Sequence, residues 1–364
     1  MSVTYASAGS RPVESVDALD PAGRPPSARQ GWIDAAKGIG ILLVVYGHAV
    51  DGLTGAGLLG PDGALNASFY VIYTFHMPLF FLLSGLLVAR RVARDRSRFV
   101  RRLLPTIAWP YFLWSAIQVT VIALAADYVN TPGTGIGGHL YALLLWNPPS
   151  QFWFLYVLFF LHLAAALLIR RGIPLLVPVA LAAILYPVPE LTGNRDRLLE
   201  MFGHFAIFYA LGVVAGRHLD RLKAWLCDDA VVKATIGAVL FAASAAAGLA
   251  YDVPYWAAIH LPTALAGTAV TLMLATRVGG GAARVLEYLG QRAMAIYVLH
   301  VLFVAGCRIV ITRLTGFEDG ALLVVLLTLI GIVAPLIVLT VAERLRLAAA
   351  LGLGAPPRMR PALG

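Results

Sequence analysis

Long apolar stretches separated by short polar segments make up most of the chain. Ten of them approach or reach the 17–25 residues, roughly, that a helix needs to cross the hydrocarbon core of a bilayer. The alternation over about ten residues that is typical of a membrane β-barrel is not seen. The pattern predicts an all-α, polytopic integral membrane protein with about ten transmembrane helices, at residues 35–52, 68–89, 103–126, 151–169, 173–188, 200–216, 232–250, 255–276, 287–312 and 320–342.

The composition agrees with this class of protein. Of the 364 residues, 60% are hydrophobic and 13% are charged, and the mean hydropathy is +0.80. Soluble domains are roughly 45–50% apolar and about 25% charged. Cys227 and Cys307 fall in separate elements, so we expect neither a disulfide framework nor a zinc site. The sequence shows no soluble catalytic domain, so we expect any chemistry to take place within the helical bundle.

Positive charge is concentrated in alternate connections between the apolar stretches. The second stretch leads into RRVARDRSRFVRR (90–102), and arginines also follow the fourth, sixth, eighth and tenth. Short loops rich in Lys and Arg stay on the cytoplasmic side. We therefore predict an even number of spans with both termini in the cytoplasm, in the cytoplasmic (inner) membrane. This bias explains the formal net charge of +9, so nucleic-acid binding is not expected.

The two ends of the chain differ from its centre. Residues 1–30 are rich in Pro, Ser, Ala and Gly, and they predict a disordered cytoplasmic N-terminal tail without a cleavable signal peptide. Residues 31–345 form the predicted ten-helix membrane domain. Residues 346–364 are predicted to be a basic cytoplasmic C-terminal tail.

The first predicted span contains the segment KGIGILLVVYGH, which begins with Lys37 and ends with His48. An ionisable side chain at the centre of a span costs about 2.5–3.5 kcal/mol on insertion scales, so it indicates a site or a pairing. The two residues are 11 positions apart, which places them on one helix face about 16 Å apart at 1.5 Å per residue. Asp34 lies one turn before Lys37, where an ion pair is expected. Alternatively, Lys37 is a snorkelling anchor and His48 bonds a neighbouring helix.

Further histidines occur in other predicted spans. His76 precedes Pro78 by two residues, and a proline inside a helix is expected to kink it. Broken helices are tolerated where they line a cavity, which favours a functional interpretation of His76. For His300, in the ninth span, an interhelical hydrogen bond is the alternative to a site. His204 and His260, near the outer ends of their spans, are interpreted as structural.

Five segments, in order, resemble the motifs of the acyltransferase family 3 membrane proteins: IDAAKGIGILLVVYGH, FHMPLFFLLSGLL, RFVRRLLP, FWFLYVLFF and LEYLGQRAMAIYVLH. The resemblance covers about residues 30–345 and is nearest to the fucose 4-O-acetylase-like branch. One branch of the family has a glutamate five residues after a tryptophan. Here Leu158 follows Trp153 at that place, which argues against the large peptidoglycan- and O-antigen-type acetylases.

The resemblance implies a membrane O-acyltransferase that moves an acyl group, expected to be acetyl from acetyl-CoA as co-substrate, to a hydroxyl of a sugar or another acceptor; succinyl and longer chains stay open. No metal is implied. The family's first-span signature is an arginine, ten residues and a histidine, and it falls on Lys37 and His48. Lysine keeps the charge but lacks the bidentate fork of arginine. The family's RxxR falls on Arg98 and Arg101. Its FFxxSG falls on Phe80, Phe81, Ser84 and Gly85.

These observations lead to a set of expected roles. His48 is predicted to be the catalytic base and His76 its partner, because histidine has an ordinary pKa of about 6.5, near the working pH. Direct transfer and an acyl-histidine intermediate both stay open. The predicted CoA-binding residues are Lys37, Arg94, Arg98 and Arg101. The predicted substrate-binding residues are Asp34, Ser84, Trp153, Tyr156, Tyr297 and His300.

Two other classes of protein are alternatives to an enzyme. A secondary transporter that exports a glycan or a lipid-linked sugar could use intramembrane histidines as a proton relay. Such transporters often contain inverted repeats with paired broken helices, but no second copy of the HMP pattern occurs and intramembrane acidic residues are few. A membrane scaffold does not explain several histidines at one depth. A sugar, polysaccharide, peptidoglycan, lipid or antibiotic acceptor, and the oligomeric state, stay open.

Overall fold

In the computed structural model, residues 31–126, 130, 148–193 and 196–354 are described. The predicted N-terminal tail and the last ten residues of the predicted C-terminal tail lie outside these ranges. Within them the chain is helical and contains no strand. The helices are α1 (Gly31–Gly55), α2 (Ala64–Tyr73), α3 (His76–Leu86), α4 (Val88–Arg94), α5 (Arg96–Leu103), α6 (Trp109–Leu124), α7 (Trp153–Arg170), α8 (Leu176–Leu185), α9 (Val188–Thr192), α10 (Arg197–Arg217), α11 (Leu219–Cys227), α12 (Ala230–Ala250), α13 (Leu261–Arg277), α14 (Gly280–Gln291), α15 (Ala293–Thr315) and α16 (Gly320–Arg344).

In the described part of the chain, nine helical segments are long and apolar enough to cross a membrane. They confirm the prediction of an all-α polytopic membrane protein and correspond to nine of the ten predicted spans. The remaining predicted span, the fifth in chain order at 173–188, corresponds to the shorter apolar pair α8–α9. The nine segments are Gly31–Gly55, Ala64–Arg94, Arg96–Leu124, Ser150–Arg170, Arg197–Arg217, Ala230–Ala250, Ala258–Arg277, Ala293–Thr315 and Gly320–Arg344.

The pair α8–α9 nevertheless carries the chain from one end of the bundle to the other. The ring of Trp153, at the start of α7, lies 5.0 Å from the ring of Phe205, in the first half of α10. Farther along both helices, His162 forms a hydrogen bond with Tyr209. Helices α7 and α10 therefore run in the same direction. Because they do, the segment between them must return across the bundle, and α8 and α9 make that return.

The second long segment is broken between α2 and α3, as predicted from Pro78. Pro78 has no N–H to donate to the carbonyl of Thr74 four residues earlier, and its ring crowds that carbonyl. Helix α2 ends at Tyr73 and α3 begins at His76. Between them Phe75 has φ −136°, outside the helical region. The break leaves His76 in the first turn of a new helix.

The ninth predicted span, 287–312, differs from the observed structure. The helix is interrupted at Arg292, so that α14 ends at Gln291 and α15 begins at Ala293. Helix α14 packs across the first turns of α1, where Gly38 lies against the backbone of Leu286 and Gly290 against the backbone of Asp34. Close approach of two backbones needs glycine at both contacts. The hydrophobic pattern of the sequence does not predict this contact, because the two segments are distant in the chain.

The predicted C-terminal tail begins as an ordered part of the bundle. Residues 345–354 form turns, and Leu353 is buried. The indole N–H of Trp109 donates to the carbonyl of Ala350 over 2.6 Å, and that of Trp114 donates to the carbonyl of Leu351 over 2.8 Å. The beginning of this segment is therefore docked on α6.

Candidate active site

A cavity of about 560 Å³ opens among α1, the α2–α3 break, α7, α10 and the segment that precedes α13. His48 and His76, the two predicted catalytic residues, both line it. Val44, one turn before His48 on α1, belongs to the same wall. Residues from distant parts of the sequence, including Tyr297 of α15, thus surround one space in the bundle.

Tyr73 lies between the two histidines. Its ring centroid is 6.5 Å from that of His48 and 4.5 Å from that of His76. The Nδ1 atom of His76 is 3.0 Å from the carbonyl oxygen of Ile72. Because a carbonyl oxygen only accepts, Nδ1 carries the proton and Nε2 holds the lone pair of the neutral ring. His76 can therefore accept a proton at Nε2.

His300, predicted to contact the substrate, lies behind His48 instead. Its side chain has no exposed surface, and it is not among the described residues that line the cavity. The ring centroids of His300 and His48 are 5.0 Å apart and the rings are tilted by 54°. The structure thus makes His300 a neighbour of the predicted base.

One wall of the cavity is formed by a face of α10. Arg197, Glu200 and His204 line the cavity together, and their spacing of i, i+3, i+7 places them on one helix side. The Nε2 atom of His204 is buried and has no hydrogen-bond partner among the described residues. The interpretation of His204 as structural did not predict this polar face of α10. The i, i+3, i+7 spacing of the three residues could have indicated it.

Aromatic residues from the segment before α13 line the same cavity. Tyr255 and Trp256 belong to it, and Tyr255 also packs against Tyr73, with ring centroids 5.4 Å apart. Burial raises the pKa of Tyr255 to about 12, and the carboxylates of Asp51 and Glu200 add to the increase. The phenol is therefore a stable neutral donor. Sequence reasoning did not select Tyr73 or Tyr255.

His260 also lines the cavity, but both of its ring nitrogens have partners. The hydroxyl of Tyr70 donates to the carbonyl of Val253 over 2.7 Å. The same hydroxyl is 2.9 Å from Nε2 of His260, so it accepts from that nitrogen. The Nδ1 atom is 3.3 Å from the hydroxyl of Thr263. This network supports the structural interpretation of His260.

The other predicted substrate contacts separate into two groups. Trp153 and Tyr297 line the cavity, and the Tyr297 hydroxyl donates to the carbonyl of Gln151. Tyr156 packs against Tyr111 and Phe160. Neither Tyr156 nor Ser84 is among the described lining residues. The structure thus brings two of these residues to the histidines and leaves two apart.

Lys37 and Asp34 lie toward the other end of α1. Their side chains form the expected ion pair, with Nζ 3.4 Å from Oδ1. Between this pair and the cavity, Gly40 of α1 lies against the ring of Phe80 on α3. Helices α1 and α3 are therefore in close contact along the stretch that separates Lys37 from His48.

The arginine-rich connection forms two short helices, α4 and α5, at the same end of the bundle as Lys37. Phe99 of α5 is buried, whereas Arg94, Arg98 and Arg101 are exposed. Asp95 caps α5 by accepting from the backbone N–H of Arg98 over 2.9 Å. That hydrogen bond lowers the pKa of Asp95 below its ordinary value. The result is a positively charged surface fixed to the bundle by an apolar face.

Within the described residues, no three His, Cys, Asp or Glu side chains come close enough to share a metal ion. Comparison with known proteins decides the class. The family described as "Acyltransferase domain" matches residues 30–342. The chain belongs to this acyltransferase family. Over 98 residues it is 34% identical to the nodulation protein NolL of Mesorhizobium japonicum. The alignment covers 25% of this chain and 26% of that protein. No solved structure matches.

The family match extends across the helical bundle and includes every cavity-lining residue described above. The protein is therefore a member of this acyltransferase family with multiple membrane-spanning helices. Acyl transfer in general needs a base for the attacking group and a place where acyl donor and acceptor meet. Among the described residues, His48 and His76 are histidines that meet in one cavity and fall within family motifs that the sequence resembles.

Proposed function

We propose that this acyltransferase transfers an acetyl group from acetyl-CoA to a hydroxyl of a sugar or glycan, in the cytoplasmic membrane. The observation that carries the proposal is the cavity in which His48 and His76 meet an aromatic and polar wall. Acyl transfer to a hydroxyl needs a general base. The cavity offers imidazoles beside space for an acceptor.

His48 is the proposed base. It takes the proton of the acceptor hydroxyl as the hydroxyl oxygen attacks the thioester carbonyl. The C–S bond then breaks, the ester remains on the acceptor, and CoA leaves as a thiol with the proton from His48. Tyr73 is a candidate donor to the oxyanion that forms, because it lies between both histidines. An acyl-histidine intermediate, in which a histidine first attacks the thioester as nucleophile, stays open as the alternative to direct transfer.

The residues that line the cavity together with the histidines support a sugar acceptor. Trp153, Tyr255 and Trp256 offer aromatic surface, and Arg197 and Glu200 offer a donor and an acceptor of hydrogen bonds. Ligand sites commonly combine apolar and aromatic walls with a few placed polar groups. A sugar ring matches this combination, since it has apolar faces and a rim of hydroxyls.

The acyl donor is proposed to bind from the cytoplasmic side. Lys37 and the exposed side chains of Arg94, Arg98 and Arg101 lie at one end of the bundle. Arginine forms strong charge-assisted hydrogen bonds with phosphate groups, and CoA carries such groups. The positive-inside rule assigns this end to the cytoplasm. The thioester would then reach His48 along α1.

Purified protein in nanodiscs tests the proposal. Acetyl-CoA is supplied with a panel of sugars, and CoA release and acetylated product are measured. His48→Ala should lower the rate about 10²–10⁴-fold, the usual range for a general base. His162→Gln is the matched control, because His162 is a buried histidine paired with Tyr209 outside the cavity. A folded His48→Ala variant with the wild-type rate would show that His48 is not the base.

The acceptor is sought in a deletion strain. Mass spectrometry of envelope glycans and secondary metabolites should show the loss of one acyl mass, and complementation should restore it. Complementation with the His48→Ala variant should not. A loss of 42 mass units, roughly that of an acetyl group replacing a hydrogen, would identify the donor as an acetyl compound, since one acetyl ester forms per hydroxyl attacked. A different mass would contradict the proposed acetyl group.

A further inference from the structure

The hydrogen bonds of His300 fix the position of its proton. Its Nδ1 atom is 2.8 Å from the carbonyl oxygen of Tyr297 and 3.1 Å from that of Ile296. Both partners can only accept, so Nδ1 carries the hydrogen. In the neutral ring, Nε2 is therefore the unprotonated nitrogen. The side chain of His300 therefore offers a hydrogen-bond acceptor at Nε2.

This acceptor has no donor among the described residues. The Nε2 atom of His300 is buried and lacks a hydrogen-bond partner. Buried polar atoms are nearly always satisfied, and exceptions require an explanation such as a catalytic role. The ring of His48 lies beside that of His300, with centroids 5.0 Å apart. At this separation the two imidazoles are neighbours, and a rotation of the His48 ring would bring one of its N–H groups to the unpaired nitrogen.

Packing prevents His300 from moving away. The side chain has no exposed surface. On α16, Gly331 lies against Val45 and Val304, and the Cβ atom of His300 is 3.9 Å from the place where a Cβ at position 331 would stand. The glycine thus lets α16 approach α15 and α1 closely. The acceptor nitrogen is held in place while His48 faces the cavity.

We propose that His300 is a positioning residue: its Nε2 atom accepts a hydrogen bond from one ring nitrogen of His48 and so directs the other ring nitrogen of His48 into the cavity. This inference rests on the proposed function of His48. A base oriented by a third group is a recurring arrangement in nucleophilic catalysis. Here a neutral imidazole takes the orienting place that a carboxylate often occupies.

The hydrogen bond would persist through the reaction. When His48 accepts the hydroxyl proton, both of its ring nitrogens carry hydrogen, and one continues to donate to His300. The proton gained from the acceptor then passes to the sulfur of the departing CoA. His300 neither gains nor loses a proton in this sequence. Its effect should therefore appear in kcat rather than in the binding of either substrate.

Kinetics of two His300 variants test the proposal. His300→Leu removes the acceptor nitrogen, and His300→Gln offers an amide oxygen in its place. We expect His300→Leu to lower kcat about 10²-fold or more, in line with the loss of an orienting group, with KM for both substrates nearly unchanged. His300→Gln should recover part of this loss. Combined with His48→Ala, His300→Leu should cause little further decrease, because the two residues act as a unit.

The opposite pattern would overturn the proposal. If His300→Leu raises KM and lowers thermal stability without a change in kcat, or if its effect multiplies that of His48→Ala, the residue is only structural. The control is His162→Leu, which removes a buried histidine elsewhere in the bundle. It should leave kcat unchanged.

Spectroscopy keeps the test independent of activity. In protein labelled with ¹⁵N-histidine, a coupling across an N–H···N hydrogen bond should connect His48 and His300, and His300→Leu should abolish it. The absence of this coupling in the folded wild-type protein would refute the hydrogen bond even if acetyl transfer is observed. A protein that shows the coupling but transfers no acetyl group would refute the proposed function alone.

Discussion

Gly85 on α3 lies directly against the backbone carbonyl of Tyr209 on α10. Two further contacts repeat the arrangement: Gly212 meets the carbonyl of Leu82, and Gly216 meets that of Leu86. Small residues allow helix backbones in membranes to approach closely. Helix α3 begins at His76 and α10 contributes His204, so this contact fixes the distance between two walls of the cavity.

Gly85→Ala should therefore destabilise the protein. The added Cβ would overlap backbone atoms of α10, and overpacking costs typically about 1–3 kcal/mol. The measurement is the thermal midpoint in detergent. Gly306→Ala, on α15, is the matched control, since no described atom lies within 4 Å of a Cβ there. It should raise stability by up to about 1 kcal/mol through helix propensity. Equal shifts in both variants would contradict the close contact.

Lys37 is the position where the sequence departs from the family signature. If it binds the acyl donor as a point charge, Lys37→Met should raise KM for acetyl-CoA about tenfold or more while kcat changes little, because ground-state and transition-state binding are lost equally. Lys37→Arg should keep or improve KM. Lys233→Met is the control, because Lys233 pairs with Asp228 on another part of the chain. An unchanged KM for acetyl-CoA in Lys37→Met would contradict binding of the acyl donor by Lys37 and would favour a role as a membrane anchor.

The phenol of Tyr255 should make stability fall at high pH. Its pKa is raised from 10.0 to about 12 by burial, so between these values the folded protein holds a proton that the unfolded chain has lost. Stability then decreases as pH rises through this range. Tyr255→Phe should flatten the decrease, measured as thermal midpoints from pH 9 to pH 11. Tyr251→Phe, which changes an exposed neighbour, should not alter it.

Arg308 is a buried arginine inside a spanning helix. Its side chain is 8% exposed, and Nε has no hydrogen-bond partner among the described residues. Because arginine at the centre of a span costs about 2.5–3.5 kcal/mol, Arg308→Met should raise the free energy of unfolding, by about 1 kcal/mol or more. Arg313→Met, at an exposed position, should have little effect. Destabilisation by Arg308→Met would contradict this expectation.

Local physics allowed much of the fold to be predicted. The lengths of the apolar stretches predict the nine spanning segments, and helix geometry predicts the ion pair between Asp34 and Lys37. The chemistry of Pro78 was sufficient for the break before His76. Each of these features depends on residues within a few turns of one another. The interruption at Arg292 depends on a contact between distant segments instead, because it accompanies the packing of α14 against α1.

The site was less accessible to sequence reasoning for the same reason. His48, His76, Trp153 and Tyr297 were selected and share the cavity. The wall from α10 and the segment around Tyr255 depend on which helices become neighbours, and no local pattern specifies that. The position of His300 behind His48 likewise follows from the packing of α15 beside α1.

The docking of residues 345–354 on α6 has a consequence for biogenesis. The indoles of Trp109 and Trp114 find their carbonyl partners 241 and 237 positions later in the chain. Domains fold from the N-terminal side as they are synthesised, and distant contacts form slowly because long loops must close first. These two indoles enter the membrane early and stay unpaired until the last helix has been inserted. The contact between residues 345–354 and α6 is thus a late step of assembly, which closes only when the whole bundle is in the membrane.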